Sequence, residues 1–259
     1  ILSELAAERP DMVCFSVFTD NYRWALGRAK KIKESLKVPI VFGGIHPTSA
    51  PERVISENCV DFLAIGEADL SLPAIAGAVS SGDKGPIDNV WHKEDGRIIK
   101  GELKGPPDPG PLPFPDKRLF YEKGGFSKKG YLIAASRGCP YYCAYCGHSV
   151  YKKLNRETGA PRFRLRSPGS VLAELRFAKK EFAPKFVHFT DDVLNSDRRW
   201  LQDLMDKYAD EIRLPFSCYA FPDLMDAESA RMLARAGCFK VQMGVQRFDE
   251  KKRRELLAR

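Results

Sequence analysis

"SRGCPYYCAYCGHS", residues 136–149, gathers three of the chain's seven cysteines, Cys139, Cys143 and Cys146, into eight positions. Three thiolates that close in sequence can hold a soft metal, either zinc or an iron–sulfur cluster. Zinc would take a fourth ligand, and His148 stands two residues beyond the last cysteine. Structural zinc sites usually pair two such knuckles, and the sequence has no second one. A [4Fe–4S] cluster on three cysteines keeps one iron without a protein ligand, and chemistry at the cluster needs that open iron.

The segments on either side set this loop in an α/β series. "GYLIAASRG" (130–138) reads as a strand running into the cysteines. "SPGSVLAELRFAKKEF" follows as a helix capped by Ser167 or Ser170, with Val171, Leu172, Leu175 and Ala178 on one face. "KFVHFTDD", "LPFSCYAFP" and "CFKVQMGVQ" are strands, separated by the helical runs "RRWLQDLMDKYADEI" and "DAESARMLARAG". On the third strand Ser217 and Tyr219 alternate with Phe216 and Cys218, so one of the two pairs faces inward.

The first hundred residues alternate in the same way. "DMVCFSVFT" (11–19), "VPIVFGG" (38–44) and "VDFLAIGE" (60–67) are strand-like, and Trp24, Ala25, Ile32 and Leu36 recur at helical spacing between the first two. "PERVISEN" and "DLSLPAIAGAVSSG" are helices, the second ended by Gly82. Alternation of this kind implies a parallel sheet, with ligands outside the carboxyl ends of its strands. "VWHKEDGRIIKGEL" is a hairpin turning at Asp95-Gly96. Six prolines between Pro106 and Pro115 then make a stiff connector. The expected division is a first domain over 1–100, a linker over 101–126 and a second domain over 127–259.

The 259 residues carry a formal charge of +8, unevenly spread. Residues 1–100 hold 12 Lys/Arg and 14 Asp/Glu, whereas residues 101–259 hold 30 and 20. The basic share peaks from Lys152 to Lys180, which reads as a solvated basic face or as a grip for nucleic acid or an anionic substrate. No apolar run approaches the ~20 residues of a membrane span. An odd number of cysteines without a secretory leader points to a reducing cytoplasm rather than a disulfide framework. The start at Ile1 and the finish inside a helical pattern suggest a fragment.

The motif C-x3-C-x-aromatic-C, with Tyr145 as the aromatic, behind the first strand of a β/α series resembles the radical S-adenosylmethionine (radical SAM) family. The resemblance implies that Cys139, Cys143 and Cys146 hold a [4Fe–4S] cluster. Its open iron chelates S-adenosylmethionine, and reduction releases methionine and a 5′-deoxyadenosyl radical. By the same similarity Tyr145, Asp191, Asp192 and Gln246 help to position S-adenosylmethionine. An alternative for the acidic pair is capping of the helix that follows. Relatives with a cobalamin domain carry Glu-Ser where this chain has Gln246-Arg247, a departure from the pattern.

"DMVCFSVFT", "VFGGIHPT" and "FLAIGEAD" resemble, in order and spacing, three strands of the cobalamin (B12)-binding domain that precedes the radical core in one large subgroup. This implies that Ser16, Thr19, Gly43, Gly44, Gly66 and Glu67 face cobalamin, the glycines admitting a bulky ligand close to the backbone. The subgroup's upstream Asp-x-His-x-x-Gly segment has no counterpart, and His46 is not its histidine.

The expected fold is therefore a Rossmann-like cobalamin-binding domain followed by a partial radical SAM (β/α) barrel, each incomplete. The expected activity is radical methyl transfer to an unactivated centre, with cyclisation as a variant and no catalytic side chain assignable beyond the cluster. The substrate is expected to be a small molecule and the reductant a flavodoxin or ferredoxin. Alternatives are radical SAM modification of RNA or protein without cobalamin, and a non-catalytic iron–sulfur, corrinoid or electron-transfer module. Cys14, Cys59, Cys218, Cys238 and the methionines 205, 225, 232 and 243 read as core, His92 as part of the hairpin, and His188 as a barrel residue rather than a ligand.

Overall fold

A computed structural model describes residues 2–83, 85–122 and 129–257; positions 123–128 of the expected linker and second domain lie outside them. In chain order the elements begin α1 (Leu2–Glu8), β1 (Val13–Ser16), α2 (Tyr22–Leu36), β2 (Ile40–Gly43), α3 (Ile45–Ser49), α4 (Pro51–Ile55) and β3 (Phe62–Ala64). There follow α5 (Ser71–Ser81), β4 (Val90–Glu94), β5 (Arg97–Lys100), α6 (Arg118–Glu122), β6 (Gly130–Ile133), β7 (Ser136–Gly138) and α7 (His148–Glu157). The remainder is β8 (Phe163–Leu165), α8 (Pro168–Phe182), β9 (Phe186–Phe189), α9 (Arg198–Glu211), β10 (Phe216–Tyr219), α10 (Ala227–Arg235), β11 (Cys238–Gln242) and α11 (Glu250–Leu257). Two compact units emerge, 1–107 with 147–160, and 108–146 with 161–259. The division is not linear, because α7, directly after the third cysteine, belongs to the first unit.

The first unit holds a sheet in the order β1-β2-β3-β4-β5. Its first three strands are parallel, and the hairpin strands β4 and β5 add antiparallel. Asp95 and Gly96 both have positive φ (48° and 77°), the pairing a two-residue type I′ turn requires. Ile40 and Phe42 of β2 pack into one apolar cluster with Ala25, Ala29 and Ile32 of α2. Val41, between them, packs into another with Ile75 of α5. Successive residues of a strand point to opposite faces, so the run Ile40-Val41-Phe42 is buried because both faces are covered. Trp24 is 56% exposed, contrary to its expected place on the apolar stripe of α2. The stripe runs through Tyr22, Ala25, Ala29 and Ile32, and Trp24 lies one residue off it. Cys14 is exposed rather than core, on the alternate face of edge strand β1.

The second unit holds a parallel sheet in the order β11-β10-β9-β6, and β7 pairs antiparallel with β8. The expected strand 130–138 is thus two strands. Helices α8, α9 and α10 are each N-capped by a side chain. Ser167, Asp197 and Asp226 accept from the backbone N–H groups of Ser170, Trp200 and Ser229 at 3.1, 2.8 and 2.8 Å. The acidic pair at 191–192 therefore does not cap α9, because Asp197 does.

Strand residues Tyr131, Ile133, Val187, Phe189, Phe216 and Cys218 share one core with Leu172 and Leu175 of α8, Leu204 and Met205 of α9, and Met232 and Leu233 of α10. Those strand positions alternate, so all three helices lie on a single face of the sheet. Inside that layer Glu174, 1% exposed, receives the Lys117 ammonium at 3.0 Å, the Arg166 guanidinium at 2.6 Å and the Tyr131 hydroxyl at 2.8 Å. Lys117 also donates to the Leu132 carbonyl at 2.5 Å, which fixes the end of the Pro-rich segment to β6.

Candidate cofactor sites

The three cysteines follow β6 and β7, beyond the carboxyl end of the first strand of the parallel sheet. Gly138, immediately before Cys139, has φ +83°, and a Cβ there would lie 2.2 Å from the Arg162 carbonyl oxygen. The entry to the loop thus admits only glycine. Within the loop Tyr141 stacks on Phe221 at 3.8 Å, and the Arg162 guanidinium lies 4.3 Å from the Tyr142 ring centre. The N–H of Cys146 donates to the Cys143 carbonyl at 3.1 Å, closing a tight turn. All three cysteines are half-buried, and none of them is in a disulfide. Among the described residues no three His, Cys, Asp or Glu side chains converge on a point able to hold an ion. The donor set fits a thiolate-held cluster: three thiols on one loop, pinned at its base and along its aromatic residues.

The acidic pair divides. Asp191 is 3% exposed, accepting from the Ser136 hydroxyl at 2.5 Å and from the Ala135 N–H at 3.1 Å. Burial pushes its carboxyl up to about 6, against the opposing pull of those hydrogen bonds. Asp191 therefore ties β9 to the segment that carries the cysteines, whereas Asp192 is exposed. Tyr145 is about half exposed (48%). Gln246 is exposed in left-handed backbone, φ 64°, an uncommon conformation for a residue with a side chain. Met243 is exposed rather than core.

In the first unit the carboxyl ends of β1 and β2 lie side by side, with Ser16 opposite Gly43. The Val17 N–H donates to the Gly43 carbonyl at 2.8 Å, and the Val17 carbonyl accepts from the His46 N–H at 3.1 Å. A Cβ on Gly44 (φ +101°) would come within 2.9 Å of the Val17 N and O atoms. This glycine is thus required by the chain's own β1 loop, whereas the expectation made it a concession to a ligand. Gly43 would meet only ordinary contacts. Ser16, Phe18 and Thr19 are exposed along this edge, and the Thr19 hydroxyl lies 3.2 Å from His46 Nδ1. Exposed hydroxyls and an aromatic ring at strand ends fit the amide-bearing periphery of a corrinoid.

Helix α7, a basic segment that strand and turn signals do not announce, covers the third loop. Leu154 Cδ2 lies 2.8 Å from where a Cβ on Gly66 would be, and Tyr151 has its hydroxyl pKa raised by burial and by Glu67. The basic stretch 152–180 is divided as well. Lys152, Lys153 and Arg156 belong to the first unit, and Arg166 of the second is spent on buried Glu174.

Comparison with known proteins agrees with this architecture. The B12 binding domain family matches residues 1–76, and the radical SAM superfamily matches residues 133–259. An uncharacterized methyltransferase of Pyrococcus horikoshii is 27% identical over 231 residues, 84% of this chain and 47% of its own. The anaerobic magnesium-protoporphyrin IX monomethyl ester cyclase of Synechocystis sp. is 22% identical over 82% of this chain and 42% of its own. The radical S-adenosylmethionine methyltransferase TsrM of Kitasatospora setae, solved with tryptophan substrate and a SAM analog, superposes with a TM-score of 0.73 at 20% identity. The match covers 97% of this chain and 52% of TsrM, which has also been solved with cobalamin and a [4Fe–4S] cluster bound.

The fold and its matches define a radical SAM protein with a Rossmann-like B12-binding sheet ahead of a partial radical SAM sheet. The chain belongs to the cobalamin-dependent radical SAM enzyme family, whose cofactors are cobalamin, a [4Fe–4S] cluster and S-adenosylmethionine. It spans about half the length of the curated relatives it matches. Among the described residues no helix is long and apolar enough to cross a membrane.

Proposed function

We propose that this chain supplies the cofactor-binding portion of a radical SAM methyltransferase that acts on a small molecule. The supporting observation is the Cys139–Cys146 loop at the end of the first parallel strand, its base fixed by the buried Asp191–Ser136 hydrogen bond. When bound, the cluster supplies the electron that splits S-adenosylmethionine, and cobalamin supplies a carrier for the methyl group.

In this reading Cys139, Cys143 and Cys146 hold the cluster. Asp191 orients their strand, and Asp192, Tyr145 and Gln246 stand toward S-adenosylmethionine. Ser16, Thr19, Gly43 and Gly44 border cobalamin, with Gly66 and Glu67 farther along the same sheet edge. The P. horikoshii relative and TsrM, both called methyltransferases, favour methyl transfer over cyclisation. The division of the basic stretch between two units weighs against an RNA grip.

The test is anaerobic reconstitution with iron and sulfide followed by reduction. The expected result is an iron–sulfur absorption band, retained corrinoid and reductive consumption of S-adenosylmethionine. Zinc without iron would overturn the cluster assignment. An intact cluster without corrinoid retention would leave a radical SAM protein that does not use cobalamin.

A further inference from the structure

One face of the second unit's sheet is filled by helices, and the opposite face carries a polar row to which no role has been given. Leu132 is registered with His188, His188 with Ser217, and Ser217 with Lys240, so the row crosses β6, β9, β10 and β11 at one level. His188 Nδ1 lies 2.7 Å from Ser217 Oγ, and Ser217 is 6% exposed. The Tyr219 ring meets the imidazole edge-on at 5.3 Å. Below the row, toward the amino ends of the strands, Phe186 and Phe239 meet edge-on at 6.0 Å and form an apolar floor.

Charge gives the row its preference. Lys240 is exposed, and none of the described strand residues on this face is acidic. Burial and the Lys240 ammonium together hold the His188 pKa below its ordinary value, so the ring is neutral at neutral pH. With Nδ1 engaged by Ser217, Nε2 is the ring atom left to meet a ligand. An ammonium, an imidazole and a buried hydroxyl over an apolar floor suit an anion attached to an apolar body. The row lies one step in from the carboxyl ends of the strands, where parallel α/β sheets take their ligands.

We propose that His188, Ser217 and Lys240 anchor an anionic group of the substrate, a carboxylate or a phosphate. The proposal rests on reading the second unit as a radical SAM core, and it narrows the substrate to anionic small molecules.

The test uses the full chain with its cluster reconstituted and its histidines labelled with nitrogen-15, the His188 signal being assigned by its loss in His188→Gln. Acetate, inorganic phosphate and uncharged acetamide are titrated at fixed ionic strength. The expected result is a saturable shift of the His188 signal with acetate or phosphate and none with acetamide. Which anion binds more tightly decides between carboxylate and phosphate. Lys240→Met should weaken that binding at least about tenfold, and Lys240→Arg should largely keep it.

An unsaturable shift, an equal response to acetamide, or unchanged binding in Lys240→Met would overturn the proposal. So would a loss confined to S-adenosylmethionine binding, measured by equilibrium dialysis, which would give the row to the cofactor. If reconstitution yields no iron–sulfur cluster while the unreconstituted chain still binds the anion, the radical SAM reading fails and the anion site stands. The two failures are distinguishable.

Discussion

The two sheets of this molecule are built from similar strands and covered differently. In the first, Phe42 and Val41 enter separate apolar clusters on opposite faces, so the sheet is enclosed on both sides. In the second, the alternating core residues all point to the side of α8, α9 and α10. Its other face carries His188, Ser217 and Lys240. A sheet enclosed on both sides can offer a ligand only its strand ends and loops, as at Ser16 and Gly43. A sheet covered on one side can also offer an entire face. The contrast shows where each unit can meet small molecules.

The largest effect should come from breaking the enclosure of the first sheet. Phe42 is fully buried, so Phe42→Ala should cost about 3–5 kcal/mol, read from the denaturant midpoint at unchanged slope. A cost under about 1 kcal/mol would mean that the face is not closed. Glu174→Gln attacks the covered side of the second sheet. Lys117 and Arg166 would then share a buried site without a carboxylate, and removal of one partner from such a cluster costs about 3–5 kcal/mol. Leaving a neutral amide to accept hydrogen bonds should place this variant at the lower end. The same measurement, with circular dichroism as a check on helix content, tests it.

These contrasts were partly legible in the sequence. The strands at Val13–Ser16, Ile40–Gly43 and Phe186–Phe189 follow from runs of apolar residues, and the cap at Ser167 from its side chain. The cysteine loop was legible because metal chemistry fixes residue type and spacing together. What escaped depended on partners remote in sequence. Whether Ser217 or Phe216 faces the helices is decided by which strands flank β10, and an alternating pattern is the same in either orientation. His188 looked like an ordinary strand residue because Ser217 and Lys240, 29 and 52 positions later, become its neighbours only through the register. Nothing in the helical run 167–182 marks Glu174 as buried, because its partner Lys117 arrives from the end of the Pro-rich segment. The reason for Gly44, the approach of the Val17 backbone, was likewise invisible.

The next effect concerns the hinge between cover and site. The Asp191 carboxyl titrates at about 6 in the folded chain against an ordinary 3.8. A raised folded value means that the protonated form is favoured by folding. Its stabilisation is complete below about 3.8 and is lost as pH rises through about 6. The gap corresponds to about 3 kcal/mol. Asp191→Asn cannot ionise, so the stability of the native chain relative to this variant should fall by that order between pH 4 and 6.5. Denaturant titrations of both proteins across this range measure it. A difference that is flat with pH would show that Asp191 is not enclosed as described.

The smallest change in stability, and the finest probe of the polar face, is Lys240→Met. Lys240 is exposed and takes part in none of the core clusters, so the substitution should move stability by no more than about 0.5 kcal/mol. Its effect should appear in another quantity. Burial lowers the His188 pKa most and the Lys240 charge lowers it further, while a hydrogen bond to the Ser217 backbone acts in the opposite sense. Removing the ammonium takes away one of the two lowering influences and leaves the hydrogen bond in place. The His188 pKa should therefore rise in Lys240→Met and stay near the native value in Lys240→Arg, as followed by nitrogen-15 chemical shifts against pH. A rise without loss of stability is what a face open to ligands allows. An equal loss of stability would mean that Lys240 serves the packing of β11, and the two sheets would then differ less than their cores imply.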